Sequence, residues 1–195
     1  MFCVGLAFCG IASFFPLNLP DIICKFVFIV YNYSMKIRNQ KSEIRNNFMS
    51  AAMRQAIKAQ SHGDVPVGAI IVKDDKIIAC GENRVQKNKD ITAHAEIVAI
   101  RAAAKKMGTK FLDGCDIYIT LEPCPMCITA ISYARINRVI FAATDAKGGA
   151  ITGGARVLED AKNLWKPAVA QDAEYADESA MLLKDFFKKR RMVKE

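Results

Sequence analysis

At 195 residues, 52% hydrophobic and 25% charged, the chain can bury a proper core, which excludes a disordered or fibrous protein and fits one domain with an appendage. Lys and Arg outnumber Asp and Glu by 28 to 20, and the net charge of +8 favours a polyanionic partner such as nucleic acid. Its seven cysteines (Cys3, Cys9, Cys24, Cys80, Cys115, Cys124 and Cys127) are odd in number and irregularly spaced, so a secreted disulfide framework is excluded. Residues 1–33 are rich in Phe, Ile, Leu and Cys, but they carry no basic n-region, and Pro16, Pro20, Asp21 and Lys25 interrupt the apolar run. Neither a signal peptide nor a spanning helix is expected, and no membrane partner. Residues 1–47 are read as a leader outside the fold, of which 1–34 are dispensable, with Met35 a candidate start.

Phe48, Ala52, Met53, Ala56, Ile57 and Ala59 recur at helical spacing and predict a helix over about 48–60. The apolar run Val65–Val72 predicts a buried strand, and the Lys73–Lys76 turn with Ile77–Cys80 completes a hairpin. A polar loop over 81–91 precedes an alanine-rich helix, Ala93–Met107, capped by Gly108. Asp116–Leu121 alternates as a strand, Pro125–Ala134 reads as a helix, and Arg138–Ala143 is a third clear strand. A glycine-rich loop, Lys147–Gly154, leads into helical sequence. The last helix spans about 173–191, with Leu182, Leu183, Phe186 and Phe187 on one side. This strand–helix alternation predicts an α/β fold, one sheet with helices on both faces. Cys80 and Cys115 border apolar stretches and read as buried packing residues. His62, in a polar Ser61-His62-Gly63 turn, reads as an ordinary surface residue.

Two short segments carry chemistry: His94-Ala95-Glu96 and Pro123-Cys124-Pro125-Met126-Cys127. Cys-x-x-Cys at a helix start places two sulfurs on one side of the first turn, where the dipole favours thiolate. Pro125 suits that turn because its missing N–H is one the helix leaves unpaired anyway. With His94 the set comprises three zinc ligands. A structural zinc site closes with four, whereas a catalytic one leaves a position for water. Glu96, two residues from a ligand, is placed to move protons for that water without joining the metal. The pattern H-x-E…P-C-x-x-C is the signature of zinc nucleobase deaminases.

Beyond the motif, Val65-Pro66-Val67-Gly68-Ala69, Asn83-Arg84, Thr92–Glu96, Thr120–Cys127, Asp145–Gly149 and Phe186–Arg191 resemble the bacterial tRNA-specific adenosine deaminases over roughly residues 48–191. The resemblance implies a cytidine-deaminase-like three-layer α/β/α sandwich around a mixed, roughly five-stranded sheet. It also implies a cytoplasmic homodimer with one zinc ion per subunit that converts the wobble adenosine of a tRNA anticodon arm to inosine. By position, His94, Cys124 and Cys127 would hold zinc, Glu96 would shuttle protons, and Asn83 would contact the flipped-out base. Phe186, Phe187, Lys188, Lys189, Arg190 and Arg191 would belong to the RNA-binding surface, with 192–195 a tail. Ile91 and Leu164–Ala168 depart from the family pattern, and the leader has no counterpart in it. Two alternatives stay open: the same chemistry on a free base or nucleoside such as guanine or cytidine, and a non-enzymatic zinc module that binds RNA.

Overall fold

The apolar run after Val65 pairs with its neighbour through a two-residue turn. Asp74 and Asp75 both take positive φ there (47° and 56°), the conformation that matches the twist of a tight hairpin. Strand β1 (Gly68–Lys73) runs antiparallel to β2 (Lys76–Glu82), with Gly68 opposite Glu82. On its other edge β1 lies antiparallel to β3 (Asp116–Leu121), and β3 is parallel to β4 (Arg138–Ala143). A short β5 (Ala168–Gln171) adds parallel to β4, giving the order β2-β1-β3-β4-β5. The sheet is therefore mixed and five-stranded, as expected.

The computed structural model describes residues 19–160 and 162–192, so residues 1–18, the first part of the expected leader, and 193–195 of the tail lie outside the described residues. The chain divides into two compact units, Met1–Ser42 and Glu43–Glu195. Helix α1 is longer than its apolar spacing predicts, running from Leu19 to Ser61. Among the described residues no helix is long and apolar enough to cross a membrane.

Side-chain alternation divides the second unit into layers. Ile70, Val72 and Tyr118 pack with Phe48, Met49, Ala51 and Ala52 of α1 on one face. Ala69, Ile71, Ile117, Ile119, Val139 and Phe141 pack on the other face with α3 (Ala95–Met107) and α4 (Pro125–Tyr133). Helix α6 (Ala176–Met192) lies against β3 and β4, and the Ser179 hydroxyl donates to the Thr120 carbonyl. Two very short helices, α2 (Val85–Asn88) and α5 (Val157–Asp160), lie in the connections.

Close helix–strand approach depends on two glycines. A Cβ on Gly68 would lie 2.1 Å from the Ala52 carbonyl oxygen, and one on Gly81 would lie 2.1 Å from that of Ala95. Both obstacles are helix backbone, which cannot rotate away. Gly81→Ala is therefore expected to lower stability by about 3 kcal/mol and to push the start of α3 off the sheet. Chemical denaturation and zinc content of the variant check this.

Two sequence expectations need correction. Cys80 is exposed rather than buried, because it lies on the edge strand β2, at the margin of the face that α1 covers; Cys115 is buried as expected. His62 is not an ordinary surface residue: its side chain is 20% exposed and its Nδ1 lies 3.1 Å from the Asp64 carboxylate.

Candidate active site

The two motif segments meet because each stands at a helix start above the same end of the sheet. His94 is the N-cap of α3 and Cys124 the N-cap of α4, both in extended backbone, with Pro125 in the first turn. Gly108 ends α3 in the left-handed conformation at φ 66°, as its position in the sequence predicts. Sγ of Cys124 lies 3.7 Å from His94 Nδ1, and Sγ of Cys127 lies 3.5 Å from it. All three ligand atoms fall within 4.8 Å of one another.

These spacings fit a tetrahedral metal. Zinc–sulfur and zinc–nitrogen bonds of about 2.3 and 2.05 Å place N and S about 3.6 Å apart. The three groups are positioned to hold one metal ion. Their mutual electrostatics favour one thiolate and leave protons on its two neighbours. Hydrogen bonding from Cys127, together with His94, holds the Cys124 thiol down to about 4 against the effect of burial. Cys127 is pushed up by its bond to Cys124 and by burial, and the bond to Cys124 raises His94. A divalent cation would replace the protons these groups share.

Glu96, one residue into α3, is 4% exposed. Burial pushes its carboxyl above the usual glutamate range, opposed by the charge of His94. It lines a pocket of about 270 Å³ together with His94, Cys124 and Asn83. Val65, Val67, Val85 and Leu121 add apolar walls suited to a flat ring. The volume is near the lower end for small-molecule sites, room for one base-sized group and not for a duplex.

Asn83 is 7% exposed, at the end of β2. Its side-chain amide donates to the Val65 carbonyl at 3.3 Å, which fixes the amide's orientation, and its Oδ1 is buried without a partner. Such an acceptor beside a pocket awaits a donor. Neighbouring charges hold this turn in place. The buried Glu82 carboxylate pairs with Arg84 at 2.8 Å and Lys58 at 3.3 Å. The fully buried Asp64 accepts from the backbone N–H groups of Gln86 at 2.6 Å and Lys87 at 3.1 Å.

Glu122 also lines the pocket, and sequence reading gave it no role. Its carboxylate accepts from the N–H groups of Asp145, Ile151, Thr152 and Gly153 and from the Thr152 hydroxyl, all at 2.7–3.0 Å. Burial alone would raise its pKa; these donors outweigh burial and lower it. The available signal was a carboxylate beside the Cys-x-x-Cys and a glycine-rich loop with no assigned anion.

Of the C-terminal residues, Phe186 is 6% exposed and packs edge-on against Phe187, with Arg190 over its ring. Its ring is therefore covered in this chain, and of the two phenylalanines only Phe187 presents its ring to solvent. Phe187 is 46% exposed, and Lys188, Lys189, Arg190 and Arg191 are exposed with it. None of these six residues lines the pocket.

The cytidine and deoxycytidylate deaminase zinc-binding region matches residues 42–143. A tRNA-specific adenosine deaminase of Aquifex aeolicus is 43% identical over 144 residues, spanning 74% of this chain and 94% of that protein. A solved structure from studies of A-to-I editing by tRNA:A34 deaminases at the wobble position shares 42% identity with a TM-score of 0.68. That match covers 71% of this chain and 99% of the other. A guanine deaminase of Bacillus subtilis shares 46% identity over a shorter stretch, 51% of this chain and 64% of its own, with a TM-score of 0.50. By its motif, its site geometry and these full-length relatives, the chain belongs to the zinc-binding cytidine and deoxycytidylate deaminase family and, within it, to the tRNA-specific adenosine deaminases.

Proposed function

We propose that this protein hydrolyses the wobble adenosine of a tRNA anticodon arm to inosine, releasing ammonia. The observation that carries the chemistry is the three-ligand set with the buried Glu96 beside it. Three ligands leave one tetrahedral position, which separates a catalytic site from a closed structural one and argues against a non-enzymatic zinc module. His94, Cys124 and Cys127 hold the ion, and bound zinc supplies a Lewis acid that makes water a nucleophile near neutral pH.

The residues divide the remaining work. Glu96 takes a proton from the attacking water and delivers it to the ring nitrogen beside the amine-bearing carbon; it then takes the second proton from the hydroxyl now on that carbon and passes it to the amine, which leaves as ammonia as the C–N bond breaks and the carbonyl forms. Its raised pKa suits a group that must both hold and release that proton. Asn83 Oδ1 accepts from the base and orients it, which gives the buried oxygen its missing partner. The apolar walls cover the ring faces and exclude bulk water. An anticodon loop offers an unpaired base, so flipping costs less than from a duplex.

Outside the pocket, Phe187 and the basic residues 188–191 contact the RNA, the ring by stacking and the cations by phosphate pairing. This part of the reading rests on exposure and charge, supported by the full-length tRNA deaminase relatives. A second copy of the chain covers the apolar face of α4, where Met126 and Tyr133 are 36% and 70% exposed and Trp165 lies alongside at 47%. The compartment is the cytoplasm, where the tRNA is found. Light scattering should give twice the 21.6 kDa of one chain. Residues 1–34 are dispensable, and a chain beginning at Met35 keeps its zinc and turnover; insolubility or loss of activity would reverse that assignment.

The reaction is tested by incubating zinc-loaded protein with an unmodified anticodon arm in ¹⁸O-labelled water. One labelled oxygen in the wobble inosine is expected. An unlabelled product, or no product, contradicts hydrolysis at this site.

A further inference from the structure

The glycine-rich loop after β4 invites reading as an exposed cradle for a phosphate, since successive backbone N–H groups make anion sites. In this fold the cradle is filled from within. The N–H groups of Ile151, Thr152 and Gly153 all point at one oxygen of Glu122, and the other oxygen takes Asp145 N–H and the Thr152 hydroxyl. The preceding N–H groups, of Lys147 and Gly148, are taken by the Asp145 carboxylate at 3.0 and 2.9 Å. A Cβ on Gly149 would lie 2.4 Å from the Glu122 carboxyl carbon, so the loop closes on this anion only with glycine there. Glu122 is 3% exposed and fully partnered, so it has no capacity left to bind substrate itself.

We propose that Glu122 is a positioning residue for substrate: its carboxylate is an internal anion that fixes the Asp145–Gly153 loop as one wall of the base pocket. The inference rests on the deaminase reading and deepens it. Asp145 and Gly148, at the head of the loop, line the same pocket as Asn83 and the α2 residues Val85 and Gln86. Strand β3 ends at Leu121 and the chain continues through Glu122 and Pro123 to Cys124, so one short segment sets both the metal end and the loop wall. The wall acts on how substrate is held, while Glu96 and the metal ligands act on the bond that breaks.

The test compares full-length, zinc-loaded wild type, Glu122→Gln and Thr152→Val on an anticodon-arm RNA. The Gln amide turns an N–H donor toward backbone N–H donors, and Val removes only the hydroxyl. Glu122→Gln should raise KM about tenfold with kcat within about threefold and zinc retained, and Thr152→Val should raise KM by about twofold. A purely structural role would lower the melting temperature without this split. Unchanged KM in both variants overturns the inference, and so does zinc loss with a collapsed kcat, which would tie Glu122 to Cys124 instead. Should Glu122→Gln fail to fold, Thr152→Val decides alone. Amide hydrogen exchange at Ile151, Thr152 and Gly153 reads the anchor without activity. It should accelerate in the folded variant, and unchanged protection overturns the inference even if wild type fails to deaminate the RNA.

Discussion

Glu96→Gln should lower kcat by about three to four orders of magnitude, equivalent to about 4–5.5 kcal/mol of barrier, while zinc content and RNA affinity stay at wild-type levels. The amide fills the space of the carboxylate but cannot cycle a proton between water, ring nitrogen and ammonia. The size of the stability change separates this from general damage. Burial raises the Glu96 pKa, so the charged form is disfavoured where it sits. Glutamine keeps the shape of the side chain at a site only 4% exposed, so the variant should melt close to the wild-type temperature. Turnover within tenfold of wild type would mean that another group moves the proton.

Cys127→Ser should abolish stoichiometric zinc binding and turnover together. Cys127 is fully buried, 3.5 Å from His94 Nδ1, and serine offers a harder, poorly ionised oxygen in place of the thiolate. Wild type should lose thermal stability on chelation, because an ion bound only to the folded state stabilises it by mass action. The variant's melting temperature should ignore the chelator. One zinc per chain in Cys127→Ser, with activity retained, would remove Cys127 from the ligand set.

Much of the site was legible because zinc chemistry restricts residue type and spacing together. His-x-Glu and Cys-x-x-Cys each need a helix start, and the signals for those starts are local: Pro125 after Cys124, and an alanine-rich period after His94 that ends at Gly108. Strands β3 and β4 were equally plain: Asp116–Leu121 alternates, and Val139–Ala143 is an unbroken apolar run. What stayed hidden depends on tertiary partners. β5 is only four residues, Ala168–Gln171, all exposed, so it has neither the length nor a buried face to mark it. Helix α1 begins at Leu19, within sequence whose all-round apolar character shows no helical stripe; Val27, Phe28, Ile29 and Tyr31 are all exposed. His62 looked like a turn residue because Asp64, two positions on, becomes its partner only when the turn closes. Phe186 and Phe187 are adjacent, and period alone does not say which one the sheet will cover. Glu122 was masked by its neighbours, for its role is written in a loop more than twenty residues downstream.

The central claim is tested most directly by measuring kcat/KM for an unmodified tRNA anticodon arm beside free adenosine, cytidine and guanine, with the same zinc-loaded protein. The account predicts inosine at the wobble position of the RNA, negligible conversion of the three small substrates, and a KM that rises with salt as phosphate contacts are screened. Faster deamination of a free base or nucleoside than of the RNA would contradict it, leaving a zinc deaminase with a different substrate.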